Sequence, residues 1–468
     1  MTVHVAPQRA AELGERFGGR VMLPGQDGYD AARQVWNVIH SHHPALIAQP
    51  ETAAEVAAAV GFAAEHGLDV CVRGGGYNHA GFAVADGALL LDLSHLRAVR
   101  VDSARGVATV GGGVTWGNVD TATAQAGLAV TGSDVSHVGV GGATLGGGIG
   151  WLHRKLGLSC DNLRAATVVT ADGRVLPVSA EEHPELFWAL RGGGGNFGVV
   201  TSFTFDLHPV GPISLATFIH PMDRARQALA LYQQLSDTGG DQLFTRAVLA
   251  AAPPLPFIPE ELRGRPAVIL SVAWFGPADQ AESTLRELRA FGPPTTDLLR
   301  PLSYVQLQGM HDAAVPRRVR AASHGGFTGP LTAGLIEALT SVAAQPPPMS
   351  MIELQPLGGA VARVSPDATA FGYRRAAHLL AVLAAAPPED PGVEMSAWAE
   401  KVNGSLPAGT ILGPSVHAMG RDEPEDRVRA AYGEAAYGRL AAAKHAYDPG
   451  NLFRFNQNIR PQPEGPRT

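Results

Sequence analysis

Residues 139–151 read Gly139-Val140-Gly141-Gly142-Ala143-Thr144-Leu145-Gly146-Gly147-Gly148-Ile149-Gly150-Trp151, with seven glycines in the first twelve positions. A chain gives up side chains at that density where its backbone must lie close against something flat or bulky. Two further clusters flank this one. Upstream, Val72-Arg73-Gly74-Gly75-Gly76-Tyr77-Asn78-His79 leaves a short apolar run; successive backbone N–H groups in such a turn form a concave anion site. Downstream, Arg191-Gly192-Gly193-Gly194-Gly195-Asn196-Phe197-Gly198-Val199-Val200-Thr201 feeds straight into a strand-like stretch. A Rossmann reading fails on context, because no βαβ unit surrounds 139–150 and no acidic residue stands at the required distance. One glycine loop beside a strand is weak evidence. Three between Gly74 and Gly198 point to a phosphate-bearing cofactor.

The bulk composition sets limits around this centre. Glycine makes up 56 of 468 residues, about 12% against a usual ~7%, so the clusters are a true excess. A formal net charge of -7 gives no electrostatic reason to expect nucleic acid or an anionic membrane as partner. No stretch approaches the ~18 continuous apolar residues of a membrane span, and Met1–Gly19 carries no signal-peptide pattern, so a cytoplasmic location is the default expectation. Cys71 and Cys160 are expected as reduced, buried thiols. His40, His42 and His43 show no ligand spacing with Cys or carboxylate partners, so no metal is implied.

The order of elements argues for an α+β chain. Thr52–His66 reads as an amphipathic helix with Thr52 as N-cap and Glu55 three residues on. Strands follow at Asp69–Val72, Ala88–Leu93, Val99–Val101 and Val107–Gly111, then a helix over Thr115–Ala126 and strands at Leu163–Thr170 and Val199–Leu207. Composition shifts near Pro209–Pro212. Beyond it, strands at Val268–Trp274 and Met351–Leu357 alternate with Ala-rich helices at Ala225–Leu235, Gln280–Phe291, Leu331–Ala344 and Ala376–Ala386. Asp426–Tyr447 reads as a closing helix before the turn Asp448-Pro449-Gly450.

Read together, these blocks resemble the FAD-linked oxidases of the berberine-bridge-enzyme-like group. The resemblance rests on Arg-Gly-Gly-Gly at 73–76, the glycine block 139–151, Gly157-Leu158-Ser159-Cys160-Asp161-Asn162-Leu163, and Glu185–Leu190 leading into 191–201. It closes on Tyr447-Asp448-Pro449-Gly450-Asn451-Leu452-Phe453-Arg454 and Asn456-Gln457-Asn458-Ile459. It implies a two-part FAD-binding domain, residues 1–208 completed by 419–468, with a substrate domain at 209–418 built as an antiparallel sheet covered by helices. By the same resemblance Arg73, Gly74, Gly75, Gly76, Tyr77, Asn78 and His79 hold the pyrophosphate region. Val135, Ser136, Gly141, Gly142, Gly147 and Val200 line adenosine and isoalloxazine, and Asn456 and Asn458 sit beside the ring. Amides and glycines suit phosphate, and side-chain amides suit the polar ring edge.

The chain departs from the pattern at the positions that matter most. Relatives place a flavin-bonded histidine where Tyr77 stands, and many place a second anchor, a cysteine, where Val135 stands. Noncovalent FAD is therefore expected, with a link through Tyr77 or through His79 left open. Relatives also carry a tyrosine and an asparagine where this chain has Ser415 and His417. A serine hydroxyl cannot act as a phenolate base, which leaves His417 as a candidate base. Glu353, in Met351-Ile352-Glu353-Leu354-Gln355, is the stronger one: strand alternation points Ile352 and Leu354 one way and Glu353 and Gln355 the other. His137 is expected near the flavin. Tyr304, His324, Trp274 and Tyr373 are candidate pocket residues, whereas Arg363 and Arg374 read as structural.

The function these residues imply is oxidation of a secondary metabolite of polyketide, alkaloid or alcohol type. Glu353 or His417 would take the proton, flavin the hydride, and O2 would be the acceptor. A monooxygenase and a non-redox cyclase using the same fold stand as alternatives. A monomer or homodimer is expected, since no coiled-coil heptads occur.

Overall fold

Thr52 opens its helix as the sequence requires: its Oγ1 accepts from the Glu55 N–H at 3.2 Å, and the helix runs Ala53–Glu65. In this computed structural model, which describes residues 7–462 except 255–257, 259, 282–285, 287–299 and 314, that helix buries Val56, Val60 and Phe62. They pack in one cluster with Leu46, Val70, Leu89 and Leu91 of a four-stranded sheet. The sheet order is Arg20–Met22, Leu46–Gln49, Leu89–Asp92, Val70–Arg73; only the first pair is antiparallel. A five-stranded antiparallel sheet follows, in the order Val99–Asp102, Val107–Gly111, Val199–Asp206, Leu163–Val169, Val175–Ser179. Its core gathers Trp116, Trp188, Phe203 and Phe205.

The third sheet has eight antiparallel strands: Arg300–Leu302, Ile213–Pro221, Pro266–Trp274, Leu243–Ala251, Met351–Pro356, His378–Ala386, Arg320–Thr328 and Ile411–Pro414. Helices Ala225–Thr238, Ala333–Val342 and Val393–Ser405 cover one face, where Leu229, Leu339 and Trp398 pack with Ile352 and Leu354. The fold is thus α+β, with an antiparallel sheet covered by helices. Five strands here, Arg300–Leu302, Ile213–Pro221, Leu243–Ala251, Arg320–Thr328 and Ile411–Pro414, were not anticipated from the sequence.

One expected element is of the wrong type. The segment expected as a helix over 376–386 is the strand His378–Ala386, between Met351–Pro356 and Arg320–Thr328. Leu380, Val382 and Ala384 are buried among the helices, while Leu379, Ala381 and Leu383 line a cavity on the other face. With both faces apolar, the alternation that marks a strand vanishes and alanine's helix preference misleads. The expected closing helix divides into Glu425–Tyr432 and Glu434–Tyr447 because Gly433 takes φ 79° between them. The helix expected over 280–291 falls largely outside the described residues.

The chain's end is tied back to the third glycine cluster by a buried ion pair. Lys444 and Asp448 are both 0% exposed and meet at 2.6 Å. Lys444 Nζ also donates to the carbonyls of Asn196 at 2.7 Å and Phe453 at 2.9 Å. Asp448 in turn accepts from the Leu452 and Phe453 amides. Removing one partner of a buried pair leaves the other charge uncompensated. Lys444→Met should therefore cost about 3–5 kcal/mol, read from chemical denaturation. A loss under 1 kcal/mol would show that the clamp is dispensable.

Candidate active site

The glycines of the first two clusters are in backbone contact. A Cβ on Gly75 would stand 2.5 Å from the Gly139 amide nitrogen, and one on Gly139 would stand 2.5 Å from that of Gly75. Neither position tolerates a side chain unless the two loops part. Gly146 is pinned in the same way by the His417 ring, whose nitrogen would lie 2.3 Å from an added Cβ.

Between these loops and the uncovered face of the eight-stranded sheet lies a cavity of ≈ 480 Å³. Gly74–His79, Val135, Gly141, Gly142 and Val200 line it, as do Asn456, Glu353 and His417. The sequence named all of these. Five other named residues do not line it. Arg73 is committed to Asp92, through Nε at 3.1 Å and Nη2 at 2.6 Å, and donates to the Gln34 carbonyl. Its guanidinium is thus spent on contacts within the protein. Ser136 is bound through its amide and its hydroxyl to Asp312, Gly147 abuts Phe371, and Asn458 has a buried, unpartnered Oδ1 among the described residues. His137 lies in an adjoining pocket. Of the candidate pocket residues, Trp274 and Tyr304 pack in hydrophobic clusters, Tyr373 donates to the Ala430 carbonyl, and His324 does not reach the cavity. Arg374, fully buried against Asp161 at 2.6 Å, is structural as expected.

The sheet wall carries charge. Glu353 Oε2 accepts from Arg246 Nη2 at 2.6 Å, its Oε1 accepts from Gln355, and Arg246 Nη1 reaches Asp134 at 3.0 Å. Burial pushes Glu353 above the usual carboxylate range; Arg246 pulls it down, and Asp134 adds to the rise. His311 stands 3.0 Å from Arg246 Nη1, and burial, then Arg246, lowers it to about 4. The ring is neutral at pH 7, so two carboxylates share one guanidinium. Sequence reading missed Arg246 and Asp134. The signal for Arg246 was a lone charge inside the apolar strand Leu243–Ala251, and that for Asp134 its place beside Val135.

Opposite this wall, buried polar atoms lack partners. Asn78 Oδ1, Asn456 Oδ1 and His79 Nδ1 make no hydrogen bond among the described residues, and each residue lines the cavity. Buried polar groups are rarely left so in a folded protein. Gly142 and Gly195 line the same space with no protein atom within 4 Å of an added Cβ. Flat backbone and orphan polar side chains facing one cavity fit a flavin dinucleotide.

Comparison with known proteins agrees. Residues 44–179 match the model of an FAD-binding domain, and 411–460 the model described as berberine and berberine like. (R)-6-hydroxynicotine oxidase of Paenarthrobacter nicotinovorans is 32% identical over 462 residues, covering 95% of this chain and 97% of its own. An FAD-linked oxidoreductase of Dictyostelium discoideum is 31% identical over 460 residues, covering 97% and 98%. The chain belongs to the berberine-bridge-enzyme-like family of FAD-linked oxidoreductases. The crystal structure of 6-hydroxy-D-nicotine oxidase from Arthrobacter nicotinovorans superposes with a TM-score of 0.84 at 29% identity, over 95% of this chain and 98% of that one.

As a berberine-bridge-enzyme-like oxidoreductase the protein uses FAD, and the glycine contact makes a direct test of how it is held. Gly139→Ala should force the two loops apart at a cost of about 1–3 kcal/mol and lower the flavin-to-protein absorbance ratio of the purified protein. A ratio equal to that of the parent would mean that the loop contact does not shape the cofactor site.

Proposed function

We propose that the protein is an FAD-dependent oxidase of a small secondary metabolite of polyketide, alkaloid or alcohol type, with O2 as electron acceptor. The single observation carrying this reading is the pair of carboxylates, Glu353 and Asp134, sharing Arg246 in the cavity wall. One negative charge in that group has no full counter-charge, so the cluster takes up a proton readily. Glu353 is the acceptor, because it stands on a strand, is 6% exposed and lines the cavity. The substrate's O–H or N–H proton passes to its carboxylate. Bound flavin supplies the complementary chemistry, taking the hydride and returning electrons to O2. Arg246 and Gln355 hold the carboxylate in one orientation, which a base of this kind needs.

The rest of the lining favours a flat, largely apolar substrate. Phe327, Phe371, Leu379, Leu383 and Val315 contribute to it, a surface better matched to an aromatic or polyketide skeleton than to a hydroxyl-rich sugar. His417 is a weaker base candidate. Burial lowers its pKa, and its ring rests against the backbone of Gly146 and Ala143, with Nε2 short of any hydrogen bond among the described residues. Ser415 lines the cavity too, without an acidic proton to exchange.

FAD is held without a covalent bond on this reading. The Tyr77 phenol is engaged with His137 at 2.5 Å, and His79, buried and lowered to about 4, has the neutral His417 as its neighbour. After acid precipitation the yellow colour should stay in the supernatant; colour in the pellet would overturn noncovalent binding.

Glu353→Gln should keep its flavin and lose about 10²–10⁴-fold in the rate of anaerobic flavin reduction by substrate. Reduction at the parent rate would remove Glu353 as the base. The base works deprotonated, so the rate should fall as pH drops through the raised pKa of Glu353. Asp134→Asn removes the like charge that helps to raise it and should move that acid limb to lower pH; a limb that stays put would separate Asp134 from the base.

A further inference from the structure

A second pocket of ≈ 220 Å³ adjoins the cavity, far more than the ~30 Å³ that one water takes in the liquid. Three segments wall it, 34–36, 75–77 and 317–318, and His137 closes one side. Hydrogen bonds lace these segments together. The Trp36 amide donates to the Gly76 carbonyl at 3.0 Å, and Trp36 Nε1 donates to the Pro316 carbonyl at 2.8 Å. The Val319 amide donates to the Trp36 carbonyl at 3.0 Å, and the Val38 amide to the Val319 carbonyl at 2.8 Å. Residues 316–319 are therefore pinned at both ends, and the backbone that carries Arg317 and Arg318 is fixed.

Neighbouring side chains on an extended chain point to opposite sides. Arg317 and Arg318 instead sit in a bend, and both line the same pocket. Neither guanidinium has a hydrogen bond or an ion pair among the described residues, and no carboxylate among those residues lines the pocket. Asp312 is engaged elsewhere: it accepts from the Ser136 amide at 3.0 Å and hydroxyl at 2.6 Å, and its Oδ1 stands 3.6 Å from His137 Nδ1.

We infer that this pocket is a binding site for an oxyanion, a phosphate or a carboxylate, held by Arg317 and Arg318 and separate from the cofactor. A guanidinium matches either oxyanion with paired, parallel hydrogen bonds. Trp36 and Tyr77, stacked with ring centroids 5.0 Å apart, line the pocket as well and give a flat wall for an organic group attached to the anion. The orphan polar atoms of the cavity, on Asn78, His79 and Asn456, belong to residues that do not line the pocket, so the two spaces present different chemistry. The inference concerns binding alone and stands whether or not Glu353 is the base.

Isothermal titration of the flavin-loaded protein at fixed ionic strength tests the site, with inorganic phosphate and phenyl phosphate as probes and chloride as the control ion. Phosphate should bind saturably, one per chain. Arg317→Gln and Arg318→Gln should each weaken it at least tenfold, while Arg100→Gln, an exposed arginine outside the pocket, should leave it unchanged. Phenyl phosphate binding at least tenfold tighter than phosphate identifies the occupant as the anionic group of an organic molecule; equal affinities identify a free inorganic anion. Phosphate should also raise the unfolding temperature of the parent more than that of the two variants. An equal rise in all three is the general stabilisation that excluded anions give and overturns the site. So does the absence of saturable heat, an unchanged affinity in both arginine variants, or binding that appears only after flavin is removed.

Discussion

One end of the cavity is tied together by Lys444, which is buried and fully bonded. Its three ammonium protons go to Asp448, to the Asn196 carbonyl and to the Phe453 carbonyl, which matches the donor capacity of the group. Asn196 repeats the arrangement with its side chain. It donates to the Gly193 and Gln457 carbonyls and accepts from the Ile459 amide. Two side chains therefore join a glycine loop near the middle of the chain to a tail some 250 residues later. The tail brings Asn456 and Gln457 to the cavity, and the loop brings Gly194 and Gly195. Were the ammonium unpaired, its desolvation would oppose burial; with every proton placed, the same burial fixes the geometry.

A shorter strap does for the sheet wall what Lys444 does for the tail. Gln308 donates to the Ser133 carbonyl at 2.7 Å, His311 stands 3.3 Å from the Asp134 carbonyl, and Asp312 takes the Ser136 amide and hydroxyl. Residues 308–312 are thus laced residue by residue onto 133–136. The lacing holds Asp134 within reach of Arg246, a residue of the eight-stranded sheet. An electrostatic group assembled from two strands and a loop keeps its geometry only if the loop cannot drift, because a charge pair in low dielectric weakens steeply when it is opened to water.

Much of this was legible in the sequence, and the part that was not fails for definable reasons. Glycine density announced the cradle because steric exclusion acts through composition: Gly75 and Gly139 touch backbone to backbone, and no other residue fits. The alternation at 351–355 correctly turned Glu353 and Gln355 away from Ile352 and Leu354. By contrast, His378–Ala386 is buried on both sides and carries no periodicity, so alanine's local preference misdirected the reading. Arg73 illustrates a different limit. A motif locates a residue along the chain, but the direction of its side chain depends on Asp92, nineteen positions away. Arg246 was missed because its meaning lies in partners 107 and 112 residues away in sequence, Glu353 and Asp134.

The two departures from the family pattern, Tyr77 and Ser415, both line the cavity. Ser415 directly follows the edge strand Ile411–Pro414, so a base there would stand at the margin of the eight-stranded sheet. With serine there, the proposed base is Glu353, on a central strand with a strand hydrogen-bonded on either side. Strand-borne groups are held more rigidly than groups on loops, but they are also farther from solvent. Tyr77 lines the cavity, and its hydroxyl is hydrogen-bonded to His137 in a neighbouring pocket with an exposed rim.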